Sequence, residues 1–115
     1  MSQTANLLKK ITEALKEDSS LIDDMDVVYQ FNLKGDYPTT YQLLLRGKDS
    51  YVVEGEAIEA DCILFMKEEH FLQLATGKLT GTKALFTGKL KMEGNVKLAL
   101  KLERILSAYN QNKTV

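Results

Sequence analysis

The sequence is poor in the residues that staple, kink or ligate: one cysteine, one proline, one histidine and no tryptophan in 115 residues. A lone Cys62 excludes an internal disulfide framework and suits a reducing compartment. One histidine and one cysteine fall short of the usual zinc ligand set, so no metal is expected. The single proline, Pro38, is barred from a central strand and marks a turn. No apolar run approaches the ~20 residues needed to cross a bilayer. Met1-Ser2-Gln3-Thr4 lacks the long apolar stretch of a secretory leader, so a cytoplasmic protein is expected. What is present is ordinary for a globular protein: 44% hydrophobic and 27% charged residues. The length is that of one domain, residues 1–115, with room for one core and one modest ligand cavity.

The net charge of −1 conceals a split. Residues 1–76 hold 7 basic and 14 acidic residues, net −7, and residues 77–115 hold 8 basic and 2 acidic, net +6. Such a chain either carries a basic face that meets an anionic ligand or surface, or neutralises itself across the folded surface.

Hydrophobic spacing defines the elements. Leu7, Leu8, Ile11, Ala14 and Leu15 form one helical stripe, which starts near Ser2 or Thr4 and fails at Asp18-Ser19-Ser20. The period then changes to two: Val27, Tyr29, Phe31 and Leu33 share one face of a strand and Gln30 and Asn32 the other. Gly35-Asp36-Tyr37-Pro38 breaks it. A second strand runs from Thr40 to Arg46, and Gly47-Lys48-Asp49 turns into a third from Ser50 to Glu54, an antiparallel meander. A fourth strand covers Asp61 to Met66. Lys67 is a poor N-cap for the next helix, but Glu68 and Glu69 suit its dipole and Gly77 its end. A short helix over Ala84, Leu85 and Phe86 precedes Gly88. A fifth strand alternates through Lys89 to Glu93, with Leu90 and Met92 inward. Asn95 caps a final helix reaching about Tyr109, and Asn110 to Val115 form a polar, frayed tail.

Catalytic chemistry finds little support. The stretch Gly77 to Lys83 lacks the Gly-Lys-Ser/Thr and preceding strand of a phosphate loop. His70 has no nucleophile elbow to serve and reads as an exposed or locally hydrogen-bonded side chain. Cys62 reads as a small buried hydrophobe. Asp23, Asp24 and Asp26 lack the calcium-loop pattern and read as a solvated loop. No enzyme activity and no cofactor are expected, and nucleic acid is not among the expected partners.

The final helix says more. At ~100° per residue, Leu98, Ala99, Leu102, Ile105, Leu106 and Tyr109 share one side. Lys97, Lys101 and Arg104 form a basic flank. Val96 and Leu100 widen the apolar arc, interrupted only by Glu103. The arc exceeds the ~100° stripe that one core requires. Either neighbouring helices bury the excess, or the helix both packs on the sheet and roofs an apolar cavity. A basic amphipathic helix also suits contact with an anionic membrane surface.

From Ala60 onward several motifs recur in a familiar order: Ala60-Asp61-Cys62-Ile63-Leu64-Phe65-Met66, Phe71-Leu72, Thr76-Gly77-Lys78-Leu79, Phe86 to Asn95, and Leu98-Ala99-Leu100-Lys101-Leu102. This stretch resembles the sterol carrier protein type-2 family of nonspecific lipid-transfer domains, strongly over residues 60–106 and only in outline over 1–59. The resemblance implies an α+β fold: a five-stranded mixed sheet with helices on one face and an apolar tunnel between the sheet and the C-terminal helix. It implies non-catalytic binding and transfer of fatty acids, fatty acyl-CoA or sterols; the protein is expected to be a monomer. Tunnel-lining candidates are Phe71, Leu74, Leu85, Phe86, Leu90, Met92, Leu98, Leu102 and Ile105. Lys97, Lys101 and Arg104, with Lys89 and Lys91 if they share a rim, would meet headgroups or a membrane. An alternative is an interaction module of the same fold whose tunnel is filled by side chains. The chain ends Asn112-Lys113-Thr114-Val115 instead of in a Ser-Lys-Leu type peroxisomal signal. Tyr41 stands where some members carry tryptophan.

Overall fold

The computed structural model describes residues 3–22 and 24–111. Helix α1 (Gln3–Glu17) leads through a single 3₁₀ turn (Ser20–Ile22) into strands β1 (Val27–Lys34), β2 (Thr39–Leu45), β3 (Tyr51–Glu54) and β4 (Cys62–Lys67). Helices α2 (Glu68–Ala75) and α3 (Gly81–Phe86), strand β5 (Leu90–Gly94) and helix α4 (Val96–Gln111) complete the chain. The sheet order is β3-β2-β1-β4-β5, antiparallel throughout except for the parallel pair β1–β4. The expected meander and α+β class are therefore present. Asp23 and the last four residues of the expected tail lie outside the described residues, while Asn110 and Gln111 continue α4.

Alternation divides the sheet into two faces. Tyr29, Phe31, Leu43, Leu45, Cys62, Leu64, Met66 and Leu90 join one buried cluster with Leu8, Ile11 and Leu15 of α1 and Leu102, Ile105 and Leu106 of α4. The opposite face carries Gln30, Asn32, Thr40 and Gln42, whose side chains bond to one another. Gln42 Nε2 donates to Gln30 Oε1 (2.9 Å), and Gln30 Nε2 donates to Asn32 Oδ1 (3.0 Å). The connection from β3 to β4 seals this ladder: Gln42 Oε1 accepts from Ala57 and Ile58 amides (3.0 and 3.2 Å), and Gln42 Nε2 donates to the Ile58 carbonyl (2.7 Å).

Local chemistry sets the boundaries. Lys67 offers α2 no side-chain cap, whereas Thr80 accepts from the Lys83 amide at the start of α3 and Asn95 Oδ1 from the Lys97 amide at the start of α4. Gly77, beyond the end of α2, adopts φ +84°, the left-handed conformation that closes a helix. Gly94 is the tightest position. Its φ is +106°, and a Cβ there would lie 2.5 Å from the Asp61 carbonyl oxygen. That contact sits where β5 pairs with the start of β4.

Candidate functional site

The region between the inner sheet face and α4 is held by specific contacts. Tyr29 Oη donates to the Leu98 carbonyl (2.7 Å), fixing the first turn of α4 over the start of β1. Burial, reinforced by Cys62 and Asp61, holds the Tyr29 phenol well above its ordinary range, so it stays a donor. Phe71 of α2 packs on Phe31 with ring centroids 5.0 Å apart and a 59° tilt. The Thr4 hydroxyl donates to Glu68 Oε2 (2.7 Å), joining α1 to the start of α2. Glu103 accepts from the Gly81 amide at the start of α3. This explains the one acidic residue that interrupts the apolar arc of α4: it ties α4 to α3.

Two grooves flank this layer. One, of about 570 Å³, lies between the α2–α3 turn and α4. Buried Leu74 and Leu79 line it, with Leu100, Glu103 and Arg104 on the α4 side. The second, of about 420 Å³, lies between α1 and the β2–β3 edge, against Ala5, Lys9, Tyr41 and Val52. Both volumes fall in the ~300–1,000 Å³ range of small-molecule sites.

The structure brings most of the tunnel candidates into the core. Phe71, Leu74, Leu90, Leu102 and Ile105 are buried, and Leu85, Met92 and Leu98 are partly buried against the same cluster. Phe86 differs. It is 87% exposed, because α3 turns buried Ala84 inward and Phe86 lies two residues, about 200°, round the helix. The basic residues also separate. Lys97, Lys101 and Arg104 are exposed on α4, and Arg104 lines the large groove. Lys89 and Lys91 instead line a cavity at one end of the sheet with Lys34 and Lys67.

Cys62 is fully buried, as expected of a small hydrophobe, and burial together with the Asp61 carboxylate pushes its thiol up to about 11. His70 departs from the sequence reading. It is half-buried rather than exposed, and its Nδ1 is buried without a hydrogen-bond partner among the described residues. Among the described residues, no group of three or more His, Cys, Asp or Glu is placed to hold a metal ion. No described helix is long and apolar enough to cross a membrane.

Sequence reasoning missed Leu79 and Leu100 as groove residues. Leu79 is one apolar residue among the glycines and threonines of a turn, a weak signal that only its 5% exposure makes plain.

Comparison with known proteins bears directly on this geometry. The chain is 35% identical over 101 residues to hydroxysteroid dehydrogenase-like protein 2 of Bos taurus, covering 87% of this chain and 24% of the relative. With the Rattus norvegicus protein of the same name it is 42% identical over 84 residues, covering 72% and 16%. It thus spans only about a quarter of the length of the curated relatives it matches, or less. Among solved structures, the apo form of sterol carrier protein 2 from Yarrowia lipolytica superposes with a TM-score of 0.73 at 29% identity, over 88% of this chain and 84% of that one. Sterol carrier protein-2 from Aedes aegypti, solved in complex with palmitate, has a TM-score of 0.72 at 23% identity, over 93% and 97%, a likeness of fold. The family described as the SCP-2 sterol transfer family matches residues 6–107, and the chain belongs to that family.

Proposed function

We propose that this chain binds a single lipid tail between the inner sheet face and α4 and carries it between membranes without altering it. The observation that carries this reading is the groove of about 570 Å³ between the α2–α3 turn and α4, whose floor is the buried Leu74 and Leu79 of the apolar core. A tail entering there and passing Leu74 would reach Phe71, Leu90, Leu102 and Ile105, with Leu85, Met92 and Leu98 at the margin, only by parting α4 from the sheet, since none of them lines the groove itself. Membership of a sterol transfer family and the palmitate held by the Aedes aegypti neighbour support the same reading.

The magnitudes suit a carrier. At ~0.8 kcal/mol per methylene, burying a sixteen-carbon chain contributes up to about 13 kcal/mol. Lost ligand freedom and desolvation offset part of this, which leaves micromolar to nanomolar affinity, about −8 to −12 kcal/mol. Apolar burial is non-directional, so fatty acids, fatty acyl-CoA and sterols all fall within the proposed range. We assign this domain no chemistry of its own. A thiol raised to about 11 is protonated at neutral pH and is a poor nucleophile.

A second reading, an interaction module with a filled tunnel, draws on one observation: Phe71, Leu102 and Leu106 are each 0% exposed, already packed against protein. Leu102→Trp distinguishes the two. With a carrier, it lowers fluorescent fatty-acid affinity at least tenfold while circular dichroism stays native, despite an overpacking cost of ~1–3 kcal/mol. Absence of fatty-acid binding in the unaltered protein, and of co-purified lipid by native mass spectrometry, would select the filled module.

A further inference from the structure

The end of the sheet opposite the start of α4 gathers positive charge. Because β1 and β4 run parallel, both finish there, with Lys34 directly opposite Lys67. Strand β5 begins at the same end, where Leu90 pairs with Met66 and Lys91 with Phe65. Lys34, Lys67, Lys89 and Lys91 thus line one cavity of about 220 Å³ together with His70 and Phe65, and no carboxylate lines it. Like charges on neighbouring strands repel. Among the described residues none of the four lysines forms an ion pair, and the nearby Glu68 carboxylate accepts from Thr4. Asp36 and Glu69 lie outside the lining.

Two exposed aromatic residues lie close in sequence to the residues that line this end of the sheet. Lys34 and Phe65 also line an adjoining groove of about 370 Å³ that extends to Pro38, next to Tyr37. On the other side the lining reaches Gly88, two residues after Phe86. Tyr37 and Phe86 are 89% and 87% exposed, far more than the other large apolar side chains described as exposed. Exposed rings one and two residues from the lining, together with lysines that form no ion pair among the described residues, match the layered chemistry of a bilayer surface, with anionic headgroups outermost and an apolar layer beneath them.

We propose that this end of the sheet is the membrane-docking face, with the four lysines cradling the phosphates of anionic lipid headgroups while Tyr37 and Phe86 enter the interfacial layer. The proposal rests on the lipid-carrier reading and adds to it the surface through which exchange occurs. It also explains why Phe86, an apolar residue at the end of a short helix, faces outward.

The test is co-sedimentation with vesicles of phosphatidylcholine alone and of phosphatidylcholine and phosphatidylserine in a seven-to-three ratio. Fatty-acid affinity is measured separately, without vesicles, so that failure of docking and failure of lipid binding are distinguishable. The native protein should sediment with the anionic vesicles only, and less so as salt rises. Lys89→Glu with Lys91→Glu should weaken that binding at least about tenfold, and Tyr37→Ser with Phe86→Ser several-fold. Lys16→Glu with Lys48→Glu, an equal change of charge away from the cavity, should stay within twofold. All six positions are exposed, and circular dichroism verifies folding of each variant.

Equal sedimentation with both vesicle types, or unchanged binding by the Lys89/Lys91 variant, would overturn the proposal. So would a larger loss on reversing Lys97, Lys101 and Arg104, which would move docking to α4. Binding of inorganic phosphate at the cavity, seen by lysine chemical shifts, without any vesicle binding would reduce it to a soluble-anion site and likewise overturn it.

Discussion

The two faces of the sheet differ in how they are stabilised: the outer one, where Val28 and Leu44 are also buried, adds a ladder of side-chain hydrogen bonds. On the inner face, Phe31, Leu43, Leu64 and Phe71 adhere by apolar burial, which is strong but indifferent to direction. On the outer face, Gln42 is also 0% exposed, yet both ends of its amide are committed to named partners. An apolar surface can exchange one hydrocarbon neighbour for another at little cost, whereas a hydrogen-bonded ladder loses its partners outright when shifted. The face on which we propose a lipid tail to lie and the face that carries the hydrogen-bonded ladder are therefore opposite sides of the same strands.

The sharpest way to break this comparison is Phe71→Ala, which removes the ring stacked on Phe31 and leaves a cavity. A loss of ~3–5 kcal/mol is expected in chemical denaturation, and a saturating fatty acid should restore part of it by filling the space. Gln42→Ala attacks the other face. It leaves the Ala57 and Ile58 amides and the Ile58 carbonyl without their side-chain partner. The expected loss is about 2–3 kcal/mol, with faster amide exchange at residues 57 and 58 and no recovery on adding fatty acid. Equal rescue of both variants would erase the distinction.

The smallest effect concerns pH. Cys62 is raised from 9.0 to about 11 by burial and by Asp61, so the unfolded chain releases this proton first. Fewer protons bound in the unfolded state means stability falls as pH rises through that window, and it is fully present below it. Cys62→Ala should flatten the decline, read from denaturation midpoints across the window. Tyr29, raised in the same direction, supplies a further part of the slope that the variant retains.

Much of the architecture was legible because period two is written plainly in β1 and β5 and period 3.6 in α1 and α4. The caps at Thr80 and Asn95 and the turn at Gly77 follow from short-range chemistry. What was not legible depends on contacts between distant residues. Gln42 and Ile58 are 16 positions apart, and nothing local in either announces that one closes over the other. Glu103 looked like a flaw in an apolar arc until the Gly81 amide supplied its partner. Phe86 carries the composition of a core residue, and only the phase of α3 against Ala84 turns it outward. The split of charge along the chain likewise gave no hint that Lys34 and Lys67 of the acidic portion would join Lys89 and Lys91 of the basic one.

The parallel seam between β1 and β4 has a kinetic consequence. The β1–β2 hairpin joins residues close in sequence, as in the Gln30–Gln42 bond across 12 positions. The seam joins Val28 to Asp61 across 33, with the Asp61 carboxylate accepting from the Val28 amide (2.8 Å). Closing that longer loop costs entropy before any sheet contact offsets it, so the seam forms after the hairpins. Until it does, β1 is an open edge of the meander. The period before the seam closes is thus when this chain is most exposed to pairing with a copy of itself, and any change that delays β4 lengthens it.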